Sequence, residues 1–133
     1  RVWAVLATVP DGLEHTTRLR RTVGRLATYL QAYGDLLVRV NGWDPAVLEA
    51  FRRDEVVAGF ADALDAKATP EQLEHVAELL PDEWLAASAS GTPAQCARRI
   101  VDQFDAGADG GVEAAGQHEG LGRDERGHGM KVR

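Results

Sequence analysis

The hydrophobic pattern changes period several times along the chain. Arg1 to Val9, RVWAVLATV, is apolar on both alternating sets of positions, as in a parallel strand covered on both faces. Pro10, Asp11 and Gly12 end it. Leu19, Val23, Leu26, Leu30, Tyr33 and Leu37 then recur at steps of three and four, which predicts one long helix with a single inward stripe. Arg18, Arg21 and Arg25 fall on another face, expected to be solvated. Asn41 and Gly42 stop this helix. Asp44 as a cap and Pro45 at the first position open a short helix to about Arg53. Residues 54 to 65 read as another helix, with Val57, Phe60 and Leu64 on its apolar side.

Thr69-Pro70-Glu71-Gln72 is a capping-box pattern. It opens a helix with Leu73, Val76, Ala77 and Leu80 inward, closed by Pro81. Glu83 to Ser90, EWLAASAS, is expected to form a short buried strand. The next signal is Gly91-Thr92-Pro93-Ala94-Gln95. Here Gly91 permits a tight turn, Thr92 caps, Pro93 takes the first helical position and Gln95 completes the box. That helix presents Cys96, Ile100 and Phe104, and Gly107 ends it. Asp109 to Ala115 should start a further strand.

Strands joined by helices imply βα units and a parallel sheet. The expected fold class is therefore α/β, with about three parallel strands and long and inserted helices. No Gly-x-Gly-x-x-Gly follows a strand, so the dinucleotide-binding variant of this architecture lacks its usual signature. The pattern then fails. Residues 111 to 133 hold six of the 14 glycines and six hydrophobic residues. Residues 1–115 accordingly read as one folded region and 116–133 as a flexible tail, either an ordinary terminus or the product of an altered reading frame.

Composition narrows the function classes. The chain has 133 residues, 15 Lys plus Arg against 21 Asp plus Glu, and a net charge of -6. An acidic balance with few aromatics disfavours nucleic-acid binding. No apolar run reaches the ~20 residues of a membrane helix. One cysteine cannot form an internal disulfide, and a cytoplasmic location is expected. His15, His75, His118 and His128 show no metal-ligand spacing. Several carboxylates are present, but no pair stands out as a general acid and base.

Three stretches resemble the luciferase-like monooxygenase superfamily, in its branch of deazaflavin-dependent oxidoreductases. RVWAVLATV resembles a late barrel strand. GRLATYLQAYGDLLVRVNGWDPAVLEAFR resembles that branch's long helix and its Asn-Gly-Trp-Asp-Pro turn. EWLAASASGTPAQCARRIVDQFDAGADG resembles the seventh strand, its helix and the start of the eighth. The resemblance covers about residues 1 to 112. It implies the C-terminal half of a (β/α)8 TIM barrel, binding coenzyme F420 (a deazaflavin) or FMN at the C-terminal strand ends. It further implies hydride transfer to or from a small organic substrate. Such a half barrel would need self-association or a separate N-terminal half, so a homo-oligomer is expected. The alternative is a half barrel with a structural or interaction role.

Within this frame Ser90, Gly91 and Thr92 are the first candidates for cofactor contact. They lie between a strand and a helix N-terminus, where phosphate often binds in such barrels. Thr92 serving as a structural cap alone is the competing reading. Trp43 is the second candidate, either on the pocket rim or as a packing anchor between helices. Trp3 and Trp84 are expected to begin strands and pack. Cys96 is expected to be a buried, inert thiol. No residue stands out as a catalytic acid, base or metal ligand.

Overall fold

The computed structural model describes residues 3–86, 88–113 and 121–122, with side chains described for 7–86 and 88–110. Two compact units divide the chain. One is formed by Glu14–Ala86 and the other by the segments on either side of it.

The Glu14–Ala86 unit is entirely helical. Its elements are α1 (His15–Leu19), a π-helical turn (Arg20–Gly24), α2 (Arg25–Asn41), α3 (Pro45–Arg53), α4 (Glu55–Ala58), α5 (Leu64–Lys67), α6 (Pro70–Leu79) and α7 (Asp82–Leu85). Local chemistry sets most of these boundaries. Glu14 accepts from Thr16 N and Thr17 N and starts α1. Gly42, at φ 67°, ends α2 in the left-handed conformation that favours glycine. Asp44 caps α3 ahead of Pro45. Asp54 ends α3 and caps α4. Thr69 and Gln72 form the expected capping box on α6.

The core of this unit comprises Val23, Ala27, Leu30, Val38, Leu48, Phe51, Val57, Leu64, Ala68, Leu73, Val76, Leu80 and Trp84. Burying such side chains contributes roughly 1.5–3 kcal/mol each before entropy is counted. The inward face of α2 differs from the expected stripe. Ala27 and Gly34 lie at the buried positions, whereas Tyr33 is 59% exposed. Counting large side chains misses this, because the closest helix approach admits only small residues. A Cβ at Gly34 would sit 2.7 Å from Leu48 Cδ1. Next to it Tyr33 has non-helical dihedrals (φ -134°, ψ 20°), which kink α2.

Two further expectations fail here. Residues 54 to 65 are not one helix: α4 ends at Ala58, capped by Gly59, and α5 begins at Leu64. Of the strand expected over residues 83–90, only Ala89 and Ser90 belong to a strand among the described residues, and its start lies in α7. Pro81 fixes an extended entry, and Asp82 and Glu83 occupy the first turn, where carboxylates favour a helix N-terminus. Trp84 on that helix is 2% exposed and belongs to the helical core.

The second unit holds β1 (Trp3–Leu6), β2 (Thr8–Pro10), β3 (Ala89–Gly91), α8 (Pro93–Asp105), β4 (Gly110–Glu113) and β5 (Leu121–Gly122). β1 pairs with β4 and β2 pairs with β3, both in parallel. β5 adds to β4 antiparallel. Val9, Ala89 and Cys96 are buried. The Cys96 thiol donates to Ala89 O at 3.2 Å.

This topology overturns the half-barrel expectation. In a (β/α)8 barrel each strand pairs with the next along the chain. Here the described pairings do not join β3 to β4: β3 pairs with β2, and β4 pairs with β1 and β5. β3 has only three residues, and most of the described residues are helical. It is not part of a closed βα barrel. The expected tail, 116–133, lies outside the described residues apart from Leu121–Gly122.

Candidate association surface

The outward flank of α2 is the most unusual surface among the described residues. Its position is fixed from the core outward. Ala27, Leu30, Gly34 and Val38 bury one face, and Gly34 lets α3 approach closely through Leu48. At its C-terminal end Trp43 N donates to Val38 O at 3.0 Å. The Trp43 ring then stacks on Trp84, with centroids 4.4 Å apart and planes 10° from parallel. This anchor holds the α2–α3 turn against the helical core.

Held in this way, α2 presents Tyr33, Leu36 and Val40 to solvent. They are 59%, 48% and 64% exposed, and they are the large hydrophobic side chains recorded as exposed among the described residues. Their spacing of three and four places them on one flank. Isolated exposed apolar residues are ordinary, whereas three sharing one flank form a candidate association surface. Asp35 and Arg39 on the same helix are both exposed. Arg52 holds Asp35 with two hydrogen bonds, Nη1 to Oδ1 at 3.1 Å and Nη2 to Oδ2 at 2.7 Å. The Arg52 guanidinium holds the Asp35 carboxyl below the usual carboxylate range, and Asp35 in turn raises Arg52.

The sequence candidates lie elsewhere. Ser90 and Gly91 end β3, and Thr92 is the N-cap of α8. The Thr92 hydroxyl accepts from Gln95 N at 3.2 Å, and Thr92 N donates to Gln95 Oε1 at 2.8 Å. Cys96 N donates to Thr92 O at 2.9 Å. Pro93 has no N–H, so the box consumes most of the donors that a phosphate would use. Gly91, at φ 112°, is fitted to this box, because a Cβ there would collide with Gln95 Oε1. Trp43 belongs to the other unit, where its ring packs on Trp84.

The polar clusters serve the fold. Arg25 was expected on a solvated face, yet its Nη1 donates to Asp65 Oδ2 at 2.8 Å and its guanidinium lies 5.7 Å from the Tyr29 ring centroid. Arg20 donates to the carbonyls of Asp65 and Ala68 at 3.1 and 2.8 Å. Asp65 N donates to the Thr28 hydroxyl at 3.1 Å. Together these tie α5 to the π turn and α2. On α6, His75 Nε2 lies 2.7 Å from Asp54 Oδ2 and donates to it, since a carboxylate only accepts. Burial pushes the Asp54 carboxyl up. The His75 hydrogen bond, the Val57 N–H, the His75 charge and the Val56 N–H outweigh that and hold it low. His15 pairs with Glu74 at 3.1 Å.

These findings overturn the expected flavin- or deazaflavin-dependent oxidoreductase. That reading required a barrel mouth formed by consecutive strand ends, and the strand pairing does not build one. Among the described residues no group of three His, Cys, Asp or Glu side chains is placed to hold a metal. No described helix is long and apolar enough to cross a membrane. Compared with profiles of known protein families, with curated proteins and with solved structures, the chain finds no match.

Proposed function

We propose that the protein acts through association with a second copy of itself, using the outward flank of α2. The supporting observation is the row formed by Tyr33, Leu36 and Val40 on a helix whose opposite face is already committed to a core. One flank can serve both copies of such a pair, as a two-fold interface requires. The row spans about two helical turns, short of the ~800 Å² per partner of a standard stable interface. The association is therefore weak and reversible.

Dilution monitored by amide chemical shifts tests this reading. Concentration-dependent shifts centred on residues 32–40, and their loss in Leu36→Glu, are the expected result. Shifts that do not change with concentration overturn it. That outcome also covers the case in which another segment of the same chain occupies the row.

A further inference from the structure

We infer that the Asn41–Gly42 peptide is a self-modification site, at which Asn41 deamidates through the following backbone nitrogen whenever the last turn of α2 opens. Asn41 is the only asparagine in the chain. Asn41 and Gly42 are both exposed, and a Cβ at Gly42 would meet nothing within 4 Å. No side chain therefore shields the Gly42 nitrogen once its hydrogen bond is released.

The reaction needs only water. The Gly42 nitrogen gives its proton to solvent base and attacks Asn41 Cγ. The N–Cγ bond forms, the Cγ–Nδ2 bond breaks, and Nδ2 leaves as ammonia with a proton from water. The resulting five-membered imide takes up one water. Opening at Cγ gives aspartate, and opening at the main-chain carbonyl gives isoaspartate.

The fold restrains both reacting groups. Asn41 Nδ2, the leaving nitrogen, donates to Leu37 O at 2.9 Å. Gly42 N, the attacking nitrogen, donates to Val38 O, which also accepts from Trp43 N at 3.0 Å. Helix ends open more readily than helix middles, but the stack of Trp43 on Trp84 pins this one. The rate of conversion therefore reports how often the anchor releases. Isoaspartate routes the main chain through Cγ, one atom longer, and so displaces Gly42 N and Trp43 N from Val38 O. The new carboxylate also stands at the negative end of the α2 dipole. Conversion thus loosens the turn that holds Trp43.

Ageing the dilute protein in mildly alkaline buffer tests this. Tryptic cleavage after Arg39 and Arg52 isolates residues 40–52, and chromatography with mass spectrometry separates amide, aspartate and isoaspartate. The intact protein should convert at least about tenfold more slowly than a free peptide of residues 40–52. That slowing should equal the hydrogen-exchange protection factor of the Gly42 amide, since one opening exposes both. Trp43→Ala, compared with a peptide carrying the same change, should narrow the gap, and Asn41→Gln should abolish the conversion. An intact protein that keeps pace with the peptide overturns the inference. So does the absence of conversion at Asn41 on the timescale that the Gly42 protection factor sets, a comparison that holds whether or not Trp43→Ala folds.

Discussion

Trp43 and Trp84 stack with their centroids 4.4 Å apart, across 41 residues of sequence. The contact joins the end of α2 to α7 and sets where the exposed flank of α2 lies. Trp84 is almost wholly buried, whereas Trp43 is half-buried. Trp84→Ala should therefore cost about 3–5 kcal/mol of unfolding free energy. Trp43→Ala should cost less, about 1–2 kcal/mol. Urea titrations followed by far-UV circular dichroism measure both. Equal small losses would show that the stack contributes little.

Gly34→Ala should destabilise the protein even though alanine is the better helix former by about 1 kcal/mol. The added methyl group would sit 2.7 Å from Leu48 Cδ1 and 3.3 Å from Arg52 Nη2. Overpacking of this kind typically costs about 1–3 kcal/mol. A midpoint shift toward lower urea is expected. The double variant Gly34→Ala with Leu48→Ala should lose less than the sum of its two single variants, as neighbours that share one space do.

Gly91→Ala should release the start of α8. Its positive φ disfavours any side chain, and the new Cβ would displace the Gln95 amide from the box. Thr92→Ala removes the same cap from the other side and should cost about 1 kcal/mol. Hydrogen exchange at the Thr92 and Gln95 amides reads the effect, since both are protected only by this box. Faster exchange at the Thr92 amide in Gly91→Ala and at the Gln95 amide in Thr92→Ala is the expected outcome. Unchanged protection in Thr92→Ala would contradict the assigned bonds.

Acid should weaken the Asp54 junction between α3, α4 and α6. The folded-state pKa of Asp54 is lowered, so the folded state favours its charged form. The contribution is complete above the unfolded carboxylate value of about 3.9. It is lost as pH falls through the lower folded value. Glu14, whose pKa is lowered to about 2 by the Thr16 and Thr17 amides, adds a shift of the same sign at the start of α1. Stability measured from pH 6 to pH 2 should fall less steeply in Asp54→Asn than in the wild type. Parallel slopes would place the acid sensitivity elsewhere.

Short local signals in the sequence carry over well. Thr69 with Gln72 and Thr92 with Gln95 form the two expected boxes, and Asp44, Pro45 and Gly42 bound their helices as read. These features depend on four or five consecutive residues and little else. Features that depend on partners far along the chain are not legible in that way. Trp84 sits in a helix because Trp43 and the core receive it, although the small residues after it suggest a strand. Ala27 and Gly34 face the core because another helix comes close, which a count of large apolar residues cannot reveal. For the same reason Tyr33, which the apolar spacing places inward, stands exposed with Leu36 and Val40. The half-barrel reading failed at strand order, a property that no single stretch encodes.

Sedimentation velocity of the unmodified protein across a concentration series tests the central claim most directly. The predicted result is a sedimentation coefficient that rises with concentration toward the value for a dimer, and a Leu36→Glu variant that stays monomeric and folded throughout. A wild-type protein that sediments as a monomer over the whole series, up to about 1 mM, would contradict it.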